Sequence, residues 1–289
     1  MDIDLARTFL AIAQAGSFVR AADILYVTQS TVSTRIKSLE DQLGTAMFTR
    51  SKAGVTLTAA GARFERHAQA LVRIWQQARQ EAALPAEQHQ LLTVGSQSSL
   101  WDGVMLDWLC RMRTIHDGIA IRTEVGSNDV LMRQMVDGLL DIAVMYTPQT
   151  RPGLSMEQLL EETLVLVSTD PDRRADDVGN YVYVDWGVEF RASHAKAFPA
   201  GEAASLFAGV GLLGLEFILR NGGSGYFPIG VVKPLFDEGR LHLVPNVPRF
   251  QRPAYLIYYP DDSNSALNLA VALLREEGAR ASKVRLPRR

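Results

Sequence analysis

The N-terminal fold is decided by residues 16–44, which read GSFVRAADILYVTQSTVSTRIKSLEDQLG. Ser17 and Thr28 are favourable N-caps, because a side-chain hydroxyl can accept a hydrogen bond from a free backbone N–H of the first helical turn. Apolar residues follow each cap at the spacing of one buried helix face: Phe18, Ala21, Ala22 and Leu25, then Val32, Ile36, Leu39 and Leu43. Gly44 supplies a C-terminal stop. The stretch predicts two helices joined by a tight connection.

A further helix is predicted before this pair. Leu5, Phe9 and Ile12 lie on one helical stripe that ends at Gly16. Three short helices with a tight connection between the last two form a helix-turn-helix, in which the N-terminal part of the last helix enters the major groove of DNA. A helical bundle with a solvated Ser/Thr face is the alternative interpretation of these helices alone.

The last of the three helices has a polar outward face. Because successive residues of a helix are rotated by 100°, the residues that point away from the buried stripe are Ser30, Ser33, Thr34 and Lys37. Gln29 lies beside this outward set, at the start of the helix. Gln can bind adenine, hydroxyls accept several partners, and Lys suits guanine or phosphate. Arg35 lies nearer the core face, so we expect it to reach the DNA backbone or an acidic neighbour.

Two short strands at residues 45–50 and 55–57 surround the turn Ser51-Lys52-Ala53-Gly54. They predict a wing whose cations meet phosphates or the minor groove. We therefore expect a winged helix-turn-helix DNA-binding domain over residues 1–60. The candidate DNA contacts are Gln29, Ser30, Thr31, Ser33, Thr34, Arg35, Lys37, Arg50 and Lys52.

Six short motifs in the first 65 residues resemble the LysR-type transcriptional regulators. They are Arg7-Thr8-Phe9-Leu10, Gly16-Ser17-Phe18 with Ala21-Ala22, Thr28-Gln29-Ser30 with Val32-Ser33, Leu39-Glu40 with Gln42-Leu43-Gly44, Phe48-Thr49-Arg50, and Leu57-Thr58-Ala59-Ala60-Gly61. A narrower similarity, to the HdfR-type subgroup, rests on Leu25-Tyr26, Trp101 and Asp185-Trp186-Gly187. The resemblance implies a regulator that binds double-stranded DNA and an unidentified small-molecule effector. Thr34 and Ala53 stand where the family often has Arg, which implies fewer charged DNA contacts than usual.

A linker and dimerisation segment is predicted over residues 58–88. Its long helix is capped by Thr58, runs towards Leu84 and is ended by Pro85. Its apolar residues alternate steps of four and three, as in a coiled-coil seam: Leu57, Gly61, Phe64, Ala68, Leu71, Trp75, Ala78 and Ala82. The family resemblance implies pairing here into a homodimer or homotetramer, and symmetry then requires a partly palindromic DNA site. A helix that lies on its own effector domain is the alternative.

The rest of the chain alternates strands and helices. Strands are predicted at 91–95, 119–125, 141–146, 163–168, 181–184 and 254–259, and helices at 101–113, 129–138, 212–219 and 266–277. The βαβαβ start predicts a mostly parallel sheet. The layout resembles the two-lobed fold of periplasmic binding proteins, so the chain is predicted to be a multi-domain α+β protein. Its effector-binding domain covers 91–289, with lobe one at about 91–161 and 265–289, and lobe two at about 162–264.

Polar residues follow the predicted strands, at the position where open α/β sheets bind ligands. The candidate effector-binding residues are Ser96, Gln97, Ser98, Ser99, Ser127, Asn128, Asp185, Trp186 and Ser224. No Arg is present in these loops, which leaves the charge of the effector open. Ordinary capping serines and turn residues are the alternative interpretation.

Composition excludes several other classes of protein. The chain has 289 residues, 47% of them hydrophobic, and a net charge of −2, which is typical of a globular protein and not of one that coats nucleic acid. The acidic start Met1-Asp2-Ile3-Asp4 does not resemble a signal peptide, and no apolar run is long enough to span a bilayer, so a cytoplasmic protein without membrane contact is expected. Cys110, the only cysteine, excludes an internal disulfide and is expected to be a buried structural thiol.

No enzyme site is visible in the sequence. Residues 209–214 read GVGLLG and satisfy a dinucleotide-binding pattern, but no clear strand precedes them and no acid lies about twenty residues later. The five histidines lack metal-ligand spacing. We therefore expect no catalytic residues, no metal and no cofactor. The competing function is a solute-binding or metabolite-sensing protein without DNA activity, which the C-terminal layout alone would permit.

Overall fold

The computed structural model describes residues 2–51, 54–82, 90–174, 179–199 and 204–283. The helices are α1 (Ile3–Ala15), α2 (Phe18–Leu25), α3 (Gln29–Leu43), α4 (Ala59–Glu81), α5 (Ser98–Leu100), α6 (Leu106–Ile115), α7 (Asn128–Val136), α8 (Val188–Ala197), α9 (Gly211–Asn221), α10 (Ile229–Asp237) and α11 (Ser265–Ala281). The strands are β1 (Phe48–Ser51), β2 (Gly54–Leu57), β3 (Gln90–Ser96), β4 (Ile119–Val125), β5 (Ile142–Met145), β6 (Ser155–Ser168), β7 (Tyr181–Val184), β8 (Ala204–Ala208), β9 (Ser224–Pro228), β10 (His242–Leu243) and β11 (Phe250–Tyr258). Lys52, the joint around Pro85 and the residues after 283 lie outside the described residues.

The first three helices have the predicted caps. The Ser17 hydroxyl accepts a hydrogen bond from Arg20 N at 3.4 Å, and Thr28 Oγ1 accepts one from Thr31 N at 3.2 Å. Gly16 and Gly44 end α1 and α3 in the left-handed conformation, with φ of 62° and 67°. β1 and β2 then pair as an antiparallel hairpin, which confirms the winged helix-turn-helix.

The linker helix α4 shares the core of this winged unit. Ala68 and Val72 are buried with the residues of α1, and the ring of Phe64 packs edge-on against Phe9 at 5.0 Å between centroids. A Cβ on Gly61 would lie 2.2 Å from Met47 O, so only glycine permits this close approach. The start of α4 is therefore part of the N-terminal unit.

The other described strands form one sheet in the order β4-β3-β5-β11-β6-β9-β7-β8, with β10 beside β6. β3 is parallel to β4 and to β5, as predicted, and β7 is parallel to β8 and to β9. β6 and β11 are antiparallel and run through both halves of the sheet, where separate hydrophobic cores lie. The two cores with their shared strands are the two predicted lobes. Trp108 Nε1 donates to Ala270 O at 3.1 Å, so α11 returns to lobe one as predicted.

Three local predictions are wrong. The predicted helix 101–113 is interrupted by a π-helical turn at residues 101–105, where Gly103 has φ −136° and ψ −114°. Cys110 is exposed, because the buried face of α6 carries Trp108 and Met112, and Cys110 lies on the opposite side. The buried stripe of α3 ends at Leu39, since Leu43 in the last turn is 41% exposed.

Lobe two contains elements that the sequence patterns did not reveal, namely α8, α10, β8, β9 and β10. β9 is buried at every position, so it lacks the alternation that marks a half-exposed strand. Among the described residues, no helix is both long and apolar enough to cross a membrane.

Candidate DNA-binding face and ligand cleft

The N-terminal half of α3 presents a polar surface. Gln29, Ser30, Thr34 and Lys37 are exposed, while Thr31 and Ser33 are half-buried. Thr28 Oγ1 lies 2.8 Å from Ser30 Oγ and 2.8 Å from Thr31 Oγ1, so three hydroxyls form one cluster at the helix start. The cluster fixes the orientation of these side chains before any partner binds.

Arg35 is held by the first helix of its own chain. Its Nη2 lies 2.8 Å from Asp4 Oδ2, and its Nη1 donates to Thr8 Oγ1 at 3.5 Å. Thr8 Oγ1 donates in turn to Asp4 O at 2.7 Å. Two partners were expected for Arg35, the DNA backbone or an acidic neighbour. The structure shows the acidic neighbour, which is Asp4.

The wing carries Arg50, whose guanidinium lies 4.1 Å from the centre of the Phe18 ring. This cation–π contact keeps the charge next to α2 while the residue stays exposed. Lys52, the second predicted wing cation, lies outside the described residues.

Tyr26 is an exposed aromatic residue beside α3 that is not among the predicted DNA contacts. It ends α2 in the left-handed conformation, with φ of 55°, and is 96% exposed beside the start of α3. Non-glycine residues rarely adopt this conformation. The available signal was the presence of an aromatic side chain in the connection, outside both helical stripes.

The linker helix presents a different apolar stripe from the predicted one. Gly61, Phe64 and Ala68 pack within the chain, because α1 and the wing cover the first half of α4. The second half leaves exposed an apolar set at helical spacing: Leu71, Ile74, Trp75 and Ala78. Ile74, which the predicted seam omitted, is the most exposed of the large residues at 64%. An exposed apolar stripe, one half-helix long, therefore remains on α4.

α4 also contacts lobe one through another of its faces. For that face, the alternative interpretation holds, in which the helix lies on its own effector domain. The Arg73 guanidinium lies 3.8 Å from the centre of the Tyr259 ring. Burial lowers the pKa of Arg73, and the neighbouring Tyr259 partly opposes that shift. Gly138, with φ of +70°, approaches so closely that a Cβ there would lie 2.7 Å from Arg73 Cα.

We expect Gly138→Ala to displace α4 from lobe one, because the new methyl group would overlap the Arg73 backbone. Hydrogen exchange of the α4 amides around Arg73 should accelerate at least about tenfold, since local opening then costs less free energy. Gly239→Ala is the matched control: its φ is +69°, but a Cβ there meets nothing within 4 Å. Equal exchange in the two variants would show that backbone strain alone, and not this contact, is responsible.

The polar residues after β3 are largely engaged within lobe one. Ser96 is buried and donates to Val144 O at 2.8 Å, and Gln97 Oε1 accepts from Tyr146 N at 3.0 Å. Ser99 Oγ lies 3.0 Å from Tyr146 Oη. Ser98 is half-buried, next to them at the N-terminus of α5.

The predicted residues after β4 lie beside this segment, since β3 and β4 are parallel. Gly126 N donates to Ser96 O at 3.2 Å, which fixes the two strand ends together. Asn128 Nδ2 donates to Thr147 O at 2.9 Å, and Ser127 is exposed. The structure thus brings the lobe-one candidates to one edge of the sheet.

Trp186 forms the lobe-two side of the cleft. Its Nε1 donates to Tyr226 O at 2.8 Å, and the side chain is 7% exposed. Asp185 faces outward and pairs with Arg191 at 2.6 Å.

Ser224 is a wrong assignment. It was placed in a loop near the cleft, but it is the first residue of β9 and is fully buried, opposite Ser168 and Tyr181. Ser224 lies at the end of β9 away from the cleft, because β9 is parallel to β7, and it is the other end of β7, at Val184, that leads to Trp186.

The centre of the cleft contains three residues that the sequence analysis missed: Tyr146, Glu162 and Arg252. Tyr146 Oη donates to Glu162 Oε2 at 2.7 Å, and Arg252 Nη1 lies 3.7 Å from the same oxygen. The Arg252 guanidinium covers the Tyr146 ring at 3.5 Å and lies 5.0 Å from the Trp186 ring. Burial raises the pKa of Glu162, which Arg252 and the Tyr146 hydrogen bond partly offset.

Arg252 brings a positive charge into the cleft, although no Arg is present in the predicted loops. It is 8% exposed, and its Nη1 is buried with no hydrogen-bond partner among the described residues. The signal in the sequence was a charged residue just before each of two predicted apolar strands, 163–168 and 254–259. That these two residues lie opposite each other becomes visible only from the register that pairs Arg252 with Glu162.

The lobes lie close together in this structure. One small space between them has a volume of about 10 Å³, enough for about one water molecule, and is lined by residues of both lobes that include Ser99, Asp102, Trp186 and Gly211. A Cβ on Gly211 would lie 2.4 Å from the Trp186 ring, which shows how closely α9 packs on the cleft wall. A ligand larger than water would fit this particular space only if the lobes moved apart.

Comparisons with known proteins agree with both halves of this description. Residues 3–62 match the bacterial regulatory helix-turn-helix protein, lysR family, and residues 85–178 match the LysR substrate binding domain. The transcriptional regulator HdfR of Escherichia coli K12 is 31% identical over 270 residues, which cover 92% of this chain and 95% of HdfR.

Solved structures show the same fold. ArgP from Mycobacterium tuberculosis superposes with a TM-score of 0.61 at 21% identity, covering 96% of this chain and 98% of ArgP. DarR from Vibrio fischeri, solved in complex with DNA, superposes with a TM-score of 0.56 at 18% identity, covering 95% and 98%. With its winged helix-turn-helix, its two-lobed effector-binding domain and its similarity to HdfR, the chain belongs to the LysR family of transcriptional regulators.

Proposed function

We propose that two copies of this regulator bind a partly palindromic site on double-stranded DNA through α3, in the cytoplasm, and that a small molecule between the lobes controls this binding. The proposed division of the chain is a winged domain at 1–60, the linker helix at 58–88 and the effector domain at 91–289. The observation that carries the proposal is the exposed polar start of α3, oriented by the Thr28 hydroxyl cluster.

In this proposal, the outward side chains of α3 contact the DNA bases, and the flanking residues contact the DNA backbone. Gln29, Ser30, Ser33 and Thr34 offer hydrogen-bonding groups without charge, which suit base edges. Lys37 and the wing cations Arg50 and Lys52 suit DNA phosphates. The exposed Tyr26 lies beside the start of α3, where its hydroxyl can add a contact with the DNA backbone. Thr31 supports this surface through Thr28, and Arg35 supports it through Asp4.

Measuring DNA affinity against salt tests the proposal and separates it from ligand binding without DNA activity. Few cations per module predict a shallow dependence, with a slope of log affinity against log salt of about −5 for a dimer that makes six phosphate contacts. Anisotropy titrations with fragments of the source genome give this slope. Ligand binding by a protein with no salt-sensitive DNA affinity would instead support the competing function.

Dimerisation is proposed to occur along the second half of α4. Leu71, Ile74, Trp75 and Ala78 form an exposed stripe just beyond the winged core. Pairing there places two winged domains side by side, and a tetramer would join two such pairs.

The effector is proposed to carry an acceptor, such as a carboxylate, for Arg252. The Nη1 of this buried guanidinium lies 3.7 Å from Glu162 but makes no hydrogen bond among the described residues, which supports this proposal, since a buried donor is costly without a hydrogen bond. Ser98, Ser99, Asn128 and Trp186 lie around the same cleft, and we propose them as the remaining contacts.

We expect Arg252→Met to abolish the thermal shift given by any small carboxylate that stabilises the wild-type protein. A ligand at 100 times its Kd stabilises by about 2.7 kcal/mol, so loss of the site removes a shift of several degrees. Ser98→Ala combined with Ser99→Ala should also remove it. Arg191→Met, which changes an exposed guanidinium near the same lobe, is the control. A shift that persists in Arg252→Met would contradict the assignment.

A further inference from the structure

We propose that the cavity between the winged domain, α4 and lobe one is a second ligand site, which binds a small amphipathic organic anion. This site is separate from the cleft between the lobes. It would control the position of the winged domain directly.

The cavity has the size of a small-molecule site. Its volume is about 620 Å³, within the range of about 300–1,000 Å³ that such sites occupy. Three parts of the chain supply its apolar wall: Leu10, Ile24 and Leu25 from α1 and α2, Val72 from α4, and Val136 and Leu139 from lobe one. An apolar ring or chain fits such a wall.

Gln69 gives the cavity a neutral polar group. It lines the cavity from α4 and is only 3% exposed. Its side-chain amide has two donor hydrogens and an acceptor oxygen, with which a polar group of a bound molecule can pair.

The charges around the cavity favour an anion. Arg7, Arg133 and Arg151 line it, against the two carboxylates of Glu65 and Asp137. Burial raises the pKa of Asp137, and Arg133 and Arg7 partly offset that shift, so two cations from opposite sides of the domain boundary act on one carboxylate. The excess of one positive charge matches a ligand with a single negative charge.

Occupation of the cavity would bind the winged domain to lobe one, because the ligand would touch both. Arg7 also lies 3.8 Å from Asp4, the residue that holds Arg35 of α3. A ligand beside Arg7 would therefore be connected to the DNA-binding helix α3 through the contacts of Arg7 with Asp4 and of Asp4 with Arg35. Its effect would be to fix the orientation of α3 relative to the effector domain.

The probe for this site is 8-anilinonaphthalene-1-sulfonate, an aromatic anion whose fluorescence rises in apolar surroundings. We expect titration of the full-length protein to show one saturable site per chain. Leu139→Trp fills the cavity and Gln69→Leu removes its amide, so each should weaken this binding at least tenfold. Phe207→Ser removes the side chain of an apolar residue of lobe two that is 74% exposed, and should leave the saturable site unchanged.

Spin labels give a second readout that does not depend on fluorescence. Cys110 is exposed on lobe one and can carry one label, and Asp41→Cys places the other at the end of α3. The probe should narrow the distribution of distances between the labels, and Leu139→Trp should remove this effect. Circular dichroism verifies that each variant is folded.

Three results would overturn the second site. They are the absence of saturable probe binding, unchanged affinity in both cavity variants, and an unchanged distance distribution on probe binding. The variant Arg252→Met separates this inference from the proposed effector cleft, because probe binding in the cavity should survive that substitution.

Discussion

Replacing Leu71 and Ile74 with Asp is expected to convert the protein to monomers and to lower its affinity for DNA at least about 100-fold. Both side chains are exposed apolar residues of α4, and two carboxylates on a pairing face would repel those of the partner. Two linked binding modules gain about 10²–10⁴ in affinity over one without any new contact. Each winged domain here carries few charges, so the affinity of the protein for DNA depends strongly on the pairing of two such domains.

The winged domain should remain folded in this double variant, because Ala68 and Val72 make the contacts of α4 with the winged core. Analytical ultracentrifugation measures the mass, and anisotropy measures the affinity. Val188→Asp, on α8 of lobe two, changes a residue that is 71% exposed and serves as the control. A double variant that stays dimeric would show that the chains pair through another surface.

Replacing Ser33 and Lys37 with Ala is expected to lower the affinity for the specific site at least about 30-fold. The lost Ser33 base contact costs about 1–3 kcal/mol, and Lys37→Ala also removes a phosphate contact, which lowers the affinity further. Thermal stability should change little, since Lys37 is exposed, Ser33 is half-buried, and the buried stripe of α3 is Val32, Ile36 and Leu39.

The matched control for this variant lies on the same helix. Ser38 and Gln42 share a hydrogen bond of 3.2 Å in the second half of α3, away from its N-terminal face. Ser38→Ala with Gln42→Ala should keep specific affinity within about threefold of the wild type. Equal losses in the two double variants would mean that helix stability, and not base contact, explains the result.

Local signals in the sequence predicted the N-terminal unit well. Caps such as Ser17 and Thr28, and stops such as Gly16 and Gly44, depend on a few adjacent residues, so their effect can be predicted without tertiary contacts. The parallel start of the large sheet was predictable for a similar reason, since strand and helix periodicities alternate there.

Features that depend on distant pairing were not predictable. Glu162 and Arg252 meet only because β6 and β11 pair in one register, and Gln69 borders a cavity only because three parts of the chain converge on it. The error at Ser224 has the same origin, because a fully buried strand gives no alternation. For α4, one apolar pattern served two purposes, since Ala68 packs within the chain and Leu71 remains exposed.

A hydroxyl-radical footprint of the full-length protein, on a fragment of the source genome that it selects, tests the central claim most directly. Two winged domains paired through α4 predict two protected half-sites on one face of the duplex, about 10 base pairs or a multiple of that apart. Both should disappear together in the variant with Ser33→Ala and Lys37→Ala. A single protected tract, or protection that survives in that variant, would contradict DNA recognition by a pair of α3 helices.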